Sequence, residues 1–161
     1  MQFKECYQNP FIEERADPYI TLGPDGFYYF TASYPMKSAD DKDGYDRVIL
    51  RRAKDISELA SAEEITIWKV ADTTLTHRFI WAPELHYIAG RWYVFYAGSE
   101  DKENNWAFDC HVLVCDSDDP YTGTWSEKGK FQKREDDDFS FTGFSLDMTL
   151  SLIHISEPTR R

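Results

Sequence analysis

Residues 27–32 read Phe-Tyr-Tyr-Phe-Thr-Ala, and residues 92–97 read Trp-Tyr-Val-Phe-Tyr-Ala. Placed one above the other they repeat at an offset of 65 positions, 27 to 92. Each run is aromatic and β-branched, which suits a pleated strand. Each follows a Gly-bearing turn, Gly23-Pro24-Asp25-Gly26 in the first and Ala89-Gly90-Arg91 in the second. Each turn is preceded by another short extended run, 18–22 and 84–88, so each unit opens as a hairpin.

Working outward, residues 47–52 (RVILRR) and 65–70 (ITIWKV) supply a third and a fourth strand to the first unit. Residues 111–115 (HVLVC) and 124–131 do so for the second, and RVIL and HVLV align at a similar offset. Two consecutive four-strand units are the signature of β-propeller blades. A β-sandwich is the rival all-β architecture, but it does not require two such units in register.

The same offset selects three further positions. Asp17 opens the first unit, Ala82 stands 65 positions on, and Asp147 another 65 positions on. The leading strand of a propeller blade is its innermost strand and lines the central channel. The alignment therefore predicts that Asp17 and Asp147, far apart in sequence, converge on one axis.

Composition narrows the function classes. Asp and Glu outnumber Lys and Arg by 29 to 18, for a formal net charge of −11. That balance argues against a nucleic-acid partner and against an anionic membrane surface. Aromatic residues make up 16% of the chain, which separates it from disordered acidic sequences. Most aromatics are expected in the core, and the rest can serve as stacking platforms for sugars.

Cys6, Cys110 and Cys115 form neither a disulfide framework nor a zinc-ligand pattern, so buried free thiols in a reducing compartment are expected. Cys110 and Cys115, five apart on one strand, should face opposite sides. The first ten residues, MQFKECYQNP, have no apolar stretch of the signal-peptide kind, which places the chain in the cytoplasm.

Residues 150–160 read LSLIHISEPTR and break the repeat where a third blade should continue. They look like the translation of a transposon-based sequencing adapter. The expected organisation is a partial propeller domain over 1–149, two blades and the start of a third, followed by a non-native tail over 150–161. On that reading His154 and Glu157 carry no function.

Asn9-Pro10, Arg15-Ala16-Asp17-Pro18-Tyr19-Ile20, Trp81-Ala82-Pro83-Glu84-Leu85-His86 and Ser145-Leu146-Asp147-Met148-Thr149 together resemble family-43 glycoside hydrolases. The ordered set, spaced on the repeat, carries the resemblance better than any one motif. It implies a five-bladed β-propeller that hydrolyses arabinosides and xylosides with inversion. It matches Asp17 to the general base and Asp147 to the aspartate that tunes and positions the acid. The acid itself would be a glutamate opening the next blade, which this chain does not include. The branch implied is an exo-acting α-L-arabinofuranosidase on arabinan or arabinoxylan oligosaccharides of the plant cell wall. A β-xylosidase of the same family and a non-catalytic carbohydrate-binding propeller are the alternatives.

Those roles have a physical basis. An inverting hydrolase places two carboxyl groups about 6.5–9.5 Å apart, leaving room for the attacking water. The base must be ionised and the acid protonated, and a neighbouring carboxylate raises the acid's pKa by like-charge repulsion. Other candidates carry two readings each. Asp17 and Asp147 can be turn or strand caps. Trp81 can line a pocket or the core. Glu84 can bind substrate or make a structural hydrogen bond. His86 can be a ligand or a satisfied strand histidine, and Arg78 can meet a sugar hydroxyl or an ion pair.

No cofactor is expected. The acidic stretch from Asp40 to Asp46 departs from EF-hand spacing and reads as a solvated loop, as does Asp136-Asp137-Asp138. Some family members hold a channel calcium through a histidine of the last blade, which is not part of this chain.

Overall fold

A computed structural model describes residues 7–38, 44–76, 78–101, 103–104, 106–138 and 143–150. Cys6, most of the acidic stretch from Asp40 to Asp46, and residues 151–161 lie outside these.

Eight strands form two four-stranded antiparallel sheets, each in simple meander order. The first contains β1 (Ala16–Leu22), β2 (Tyr28–Ser33), β3 (Arg47–Ala53) and β4 (Ile65–Lys69). The second contains β5 (Arg78–Ile88), β6 (Arg91–Ser99), β7 (Phe108–Cys115) and β8 (Trp125–Lys130). These are two propeller blades, as the repeat predicts.

Period-two alternation explains how the blades stack. In β2, Tyr29 points into the interface with the second blade, while Phe30 and Ala32 point the other way. In β6, Trp92, Val94 and Tyr96 face back toward the first blade. The shared core joins Tyr29, Val48, Leu50 and Trp68 of one sheet to Ile80, Leu85, Trp92, Val94, Leu113 and Trp125 of the other. Truncating a fully buried Trp such as Trp92 costs about 3–5 kcal/mol, so this interface dominates the cohesion of the pair. On the far face of the first blade, Phe11 and Ile12 cover Phe30, Ile49 and Leu59.

Polar staples fix the blades at their outer ends. The Arg52 guanidinium meets both oxygens of Asp119, at 2.9 and 3.0 Å, and lies over the Tyr121 ring. The Tyr121 hydroxyl donates to the Glu63 carbonyl. Burial opposes the charge on Asp119. The Tyr121 amide, the Thr122 hydroxyl and Arg52 outweigh it and hold the carboxyl below its usual range.

The ladder registers refine the repeat. Leu22 pairs with Tyr28 in the first hairpin and Tyr87 with Trp92 in the second. The second turn is one residue shorter, so β6 follows β2 at an offset of 64 rather than the 65 that the aromatic runs suggest. Ser33, opposite Ala16, is therefore matched by Ala97, opposite Trp81.

Candidate active site

The leading strands do not run straight. The β1–β2 ladder shifts register between Ala16 and Tyr19, and the β5–β6 ladder shifts between Trp81 and Glu84. These bulges sit 65 positions apart, and each contains a proline, Pro18 and Pro83. Proline has no N–H to give a ladder, so within sheets it is confined to bulges and edges. The preceding residue takes the left-handed backbone, with φ of 50° at Asp17 and 42° at Ala82. Asp147 repeats it at 54°. A second left-handed pair, Glu14 at 54° and Phe79 at 55°, has the same spacing. The 65-residue repeat is thus a repeat of backbone geometry, and bulges of this kind re-aim a side chain.

Asp17 is exposed on its bulge. Its Oδ2 accepts a 2.8 Å hydrogen bond from the Ser33 hydroxyl. Ser33 Oγ in turn accepts a 2.7 Å bond from the Ala82 amide, which ties the two bulges together. Just before Asp17, Arg15 is anchored by an ion pair with Glu64 and lies 4.4 Å over the Tyr34 ring. Burial opposes ionisation of Glu64, but Arg15 and Arg51 together bring its carboxyl below the usual range.

Two residues beyond Asp17, the Tyr19 hydroxyl reaches His86 Nδ1 at 3.5 Å, the long limit of a hydrogen bond. His86 Nε2 lies 2.9 Å from Glu84 Oε2. Burial, and then the Glu84 charge, push the Tyr19 phenol up, so it stays protonated as a donor. Tyr19, His86 and Glu84 form a polar chain between the leading strands of the two blades. Glu84 and His86 are brought together with each other and with Tyr19.

Trp81 stacks on Phe108 with ring centroids 4.2 Å apart, and Tyr45, Phe79 and Trp106 surround it. Its indole Nε1 is buried and has no hydrogen-bond partner among the described residues. Arg78 is exposed, its guanidinium 4.7 Å from the Phe79 ring centre.

Asp147 is likewise exposed. Its segment lies along the start of β7, where the Ser145 amide donates to the Phe108 carbonyl at 3.1 Å. Phe144 packs edge-on against Phe108. Burial, then the Asp109 and Asp147 charges, raise the Cys110 thiol against the opposing Met148 amide. Phe108 therefore touches both Trp81 and the Asp147 segment, while Ser33 joins the next residue, Ala82, to Asp17.

Of the residues now around Asp17, Ser33 and Tyr19 were not among the sequence candidates. The hairpin lengths held the signal for Ser33, because they decide which residue of β2 stands opposite the bulge.

The first bulge thus presents an exposed carboxylate at the junction of two propeller blades. Comparison with known proteins gives the family. The model of glycosyl hydrolases family 43 matches residues 7–150, and the chain belongs to that family. An extracellular exo-α-(1→5)-L-arabinofuranosidase of Streptomyces avermitilis is 39% identical over 92% of this chain and 28% of its own length. One from Streptomyces chartreusis is 41% identical over 89% of this chain and 39% of its own length. Among solved structures, an α-L-arabinofuranosidase from Lactobacillus brevis superposes with a TM-score of 0.72 at 37% identity, covering 89% of this chain and 42% of that one. The chain thus spans well under half the length of each of these relatives.

The two Streptomyces relatives are extracellular, which overturns the cytoplasmic placement. That placement rested on the missing apolar stretch in ten residues of a chain that spans only part of its relatives. The reducing compartment inferred from the cysteines falls with it. Cys110 and Cys115 are free thiols, kept so by burial on opposite faces of β7. No helix among the described residues is long and apolar enough to cross a membrane.

Proposed function

We propose that this segment belongs to a secreted, inverting α-L-arabinofuranosidase that releases terminal arabinofuranosyl residues from arabinan or arabinoxylan oligosaccharides. The observation that carries the reading is Asp17, exposed on the first bulge and held by a buried hydroxyl. The names of the arabinofuranosidase relatives support the choice of sugar.

In this reading Asp17 is the general base. Its ionised carboxylate takes a proton from a water on one face of the sugar ring while that water attacks the anomeric carbon. A glutamate outside this chain protonates the leaving oxygen on the other face. Asp147 stands near that acid and keeps it protonated by like-charge repulsion. Trp81, partly exposed, offers the open part of its ring to the sugar, while its indole N–H stays buried in the packing beneath. Glu84, whose Oε2 holds His86, and Arg78 at the start of β5 bind substrate hydroxyls.

The test is hydrolysis of aryl glycosides by the full-length protein that carries this segment. Faster turnover of an aryl α-L-arabinofuranoside than of an aryl β-D-xylopyranoside is expected. Preference for the xyloside would make it a β-xylosidase. Binding of arabino-oligosaccharide without turnover of either would make it a carbohydrate-binding propeller.

A further inference from the structure

The bulge that carries Asp17 is served by a residue that none of the family-like motifs contains. Ser33 ends β2, is fully buried at 0% exposure, and stands at the ladder position opposite Ala16. Its hydroxyl makes two short bonds. It accepts from Ala82 N–H at 2.7 Å and donates to Asp17 Oδ2 at 2.8 Å.

The amide that it accepts from is available for a structural reason. The register shift between Trp81 and Glu84 breaks the β5–β6 ladder at Ala82, so that N–H is not spent on a strand partner. With the amide on one side of Oγ, the hydroxyl proton is directed to the carboxylate. A chain of amide, hydroxyl and carboxylate also polarises itself, which strengthens each bond. We infer that Ser33 is a positioning residue for Asp17, fixing the carboxylate's orientation on the first bulge by way of the second blade's backbone.

The molecule contains its own control. The second blade has the same bulge with the same left-handed backbone, but Ala82 stands where Asp17 does. At the ladder position matching Ser33 it has Ala97. The carboxylate and the hydroxyl are present together in one blade and missing together in the other. If Ser33 served only strand packing, the blade without a carboxylate would have no reason to lack the hydroxyl as well.

The inference rests on Asp17 acting as the base. Losing the hydroxyl leaves the carboxylate present but free to turn, so the rate should suffer and substrate binding should not. A misplacement of about 1 Å at a reacting group can cost roughly 10²-fold. In the full-length protein, Ser33→Ala is expected to lower kcat on an aryl α-L-arabinofuranoside by about 10–100-fold, with KM within about twofold and the melting temperature within a few degrees. Ser33→Cys, close in volume but with a weak donor, should move kcat in the same direction and decides the matter if Ser33→Ala does not fold.

Unchanged kcat in the folded variants overturns the inference. So does a fall in kcat accompanied by a matching rise in KM and loss of thermal stability, which would mark a general packing role. If the unsubstituted protein hydrolyses no glycoside, the base assignment fails and takes this inference with it. If it is active and the Ser33 variants keep full kcat, only the positioning role fails.

Discussion

The two blades use one backbone for two different purposes. Both leading strands bulge at an X-Pro step, both put the preceding residue at positive φ, and both repeat a second left-handed residue three positions earlier. The first blade presents Asp17 from this kink with Ser33 beneath it. The second presents Ala82 with Ala97 opposite, and spends its freed amide on the first blade's serine. The kink is therefore not itself the site. It is a scaffold that the fold repeats, and the two blades mount different side chains on it.

The third repeat position should extend the comparison. Asp147 has the left-handed backbone and the carboxylate, and in the full-length protein Asp147→Asn is expected to reduce kcat by about 10–10³-fold, within the range of acid–base contributions. The pH profile should identify its role. Removing a negative charge near the acid lets the acid lose its proton earlier, so the alkaline limb of kcat/KM should move to lower pH. An alkaline limb that stays in place would detach Asp147 from the acid.

A smaller effect should separate scaffold from function. Ala82 has left-handed backbone, which costs an L-residue about 1–2 kcal/mol and costs a β-branched one more. Ala82→Val is expected to lower the melting temperature and Ala82→Gly to hold or raise it, read by thermal unfolding. Equal melting temperatures would mean that the kink relaxes freely, and that the shared backbone is not maintained by its own strain.

The smallest effect concerns a place where the blades diverge in the interior. Arg51 of β3, opposite Phe30, matches Leu113 of β7, opposite Val94, and two residues before each stand Ile49 and His111, both almost fully buried. Burial pushes the His111 imidazole down, against the raising influence of Glu100, Glu127 and Asp109 and of the Gly98 backbone. A histidine with a lowered folded pKa takes up its proton more readily when unfolded. Its neutral form then contributes stability that is fully present above the unfolded value of about 6.5 and is lost as pH falls through it. Denaturant unfolding between pH 7 and 5 should show that loss, and His111→Ile, the first blade's residue, should flatten it.

The strands were legible because their causes are local. The aromatic runs and Gly turns placed the two hairpins and the following runs placed the other four strands, and only β5 and β7 begin well before their apolar cores suggested, at Arg78 and Phe108. Asp17, Ala82 and Asp147 were legible as a set because the 65-residue repeat lies in the chain itself, and X-Pro steps mark the first two. Ser33 was not, because its importance depends on pairing across a hairpin. A turn one residue shorter shifts the partner from the position that aromatic similarity favours. The Tyr19–His86–Glu84 chain was half legible. Glu84 and His86 share a face of β5 by alternation, but their link to Tyr19 crosses from one blade to the other. The compartment was not legible, because ten residues of one segment do not record it.

The central claim is that the first blade's kink works because it carries Asp17. The most direct measurement is kcat for Asp17→Asn against the unsubstituted full-length enzyme on an aryl α-L-arabinofuranoside. The exchange keeps the side chain's size, and the Ser33 hydroxyl can still donate to the amide oxygen. A loss of about 10²–10⁴-fold with an unchanged melting temperature is expected. Turnover within about threefold of the unsubstituted enzyme, a difference of less than ~1 kcal/mol in activation free energy, would contradict the claim.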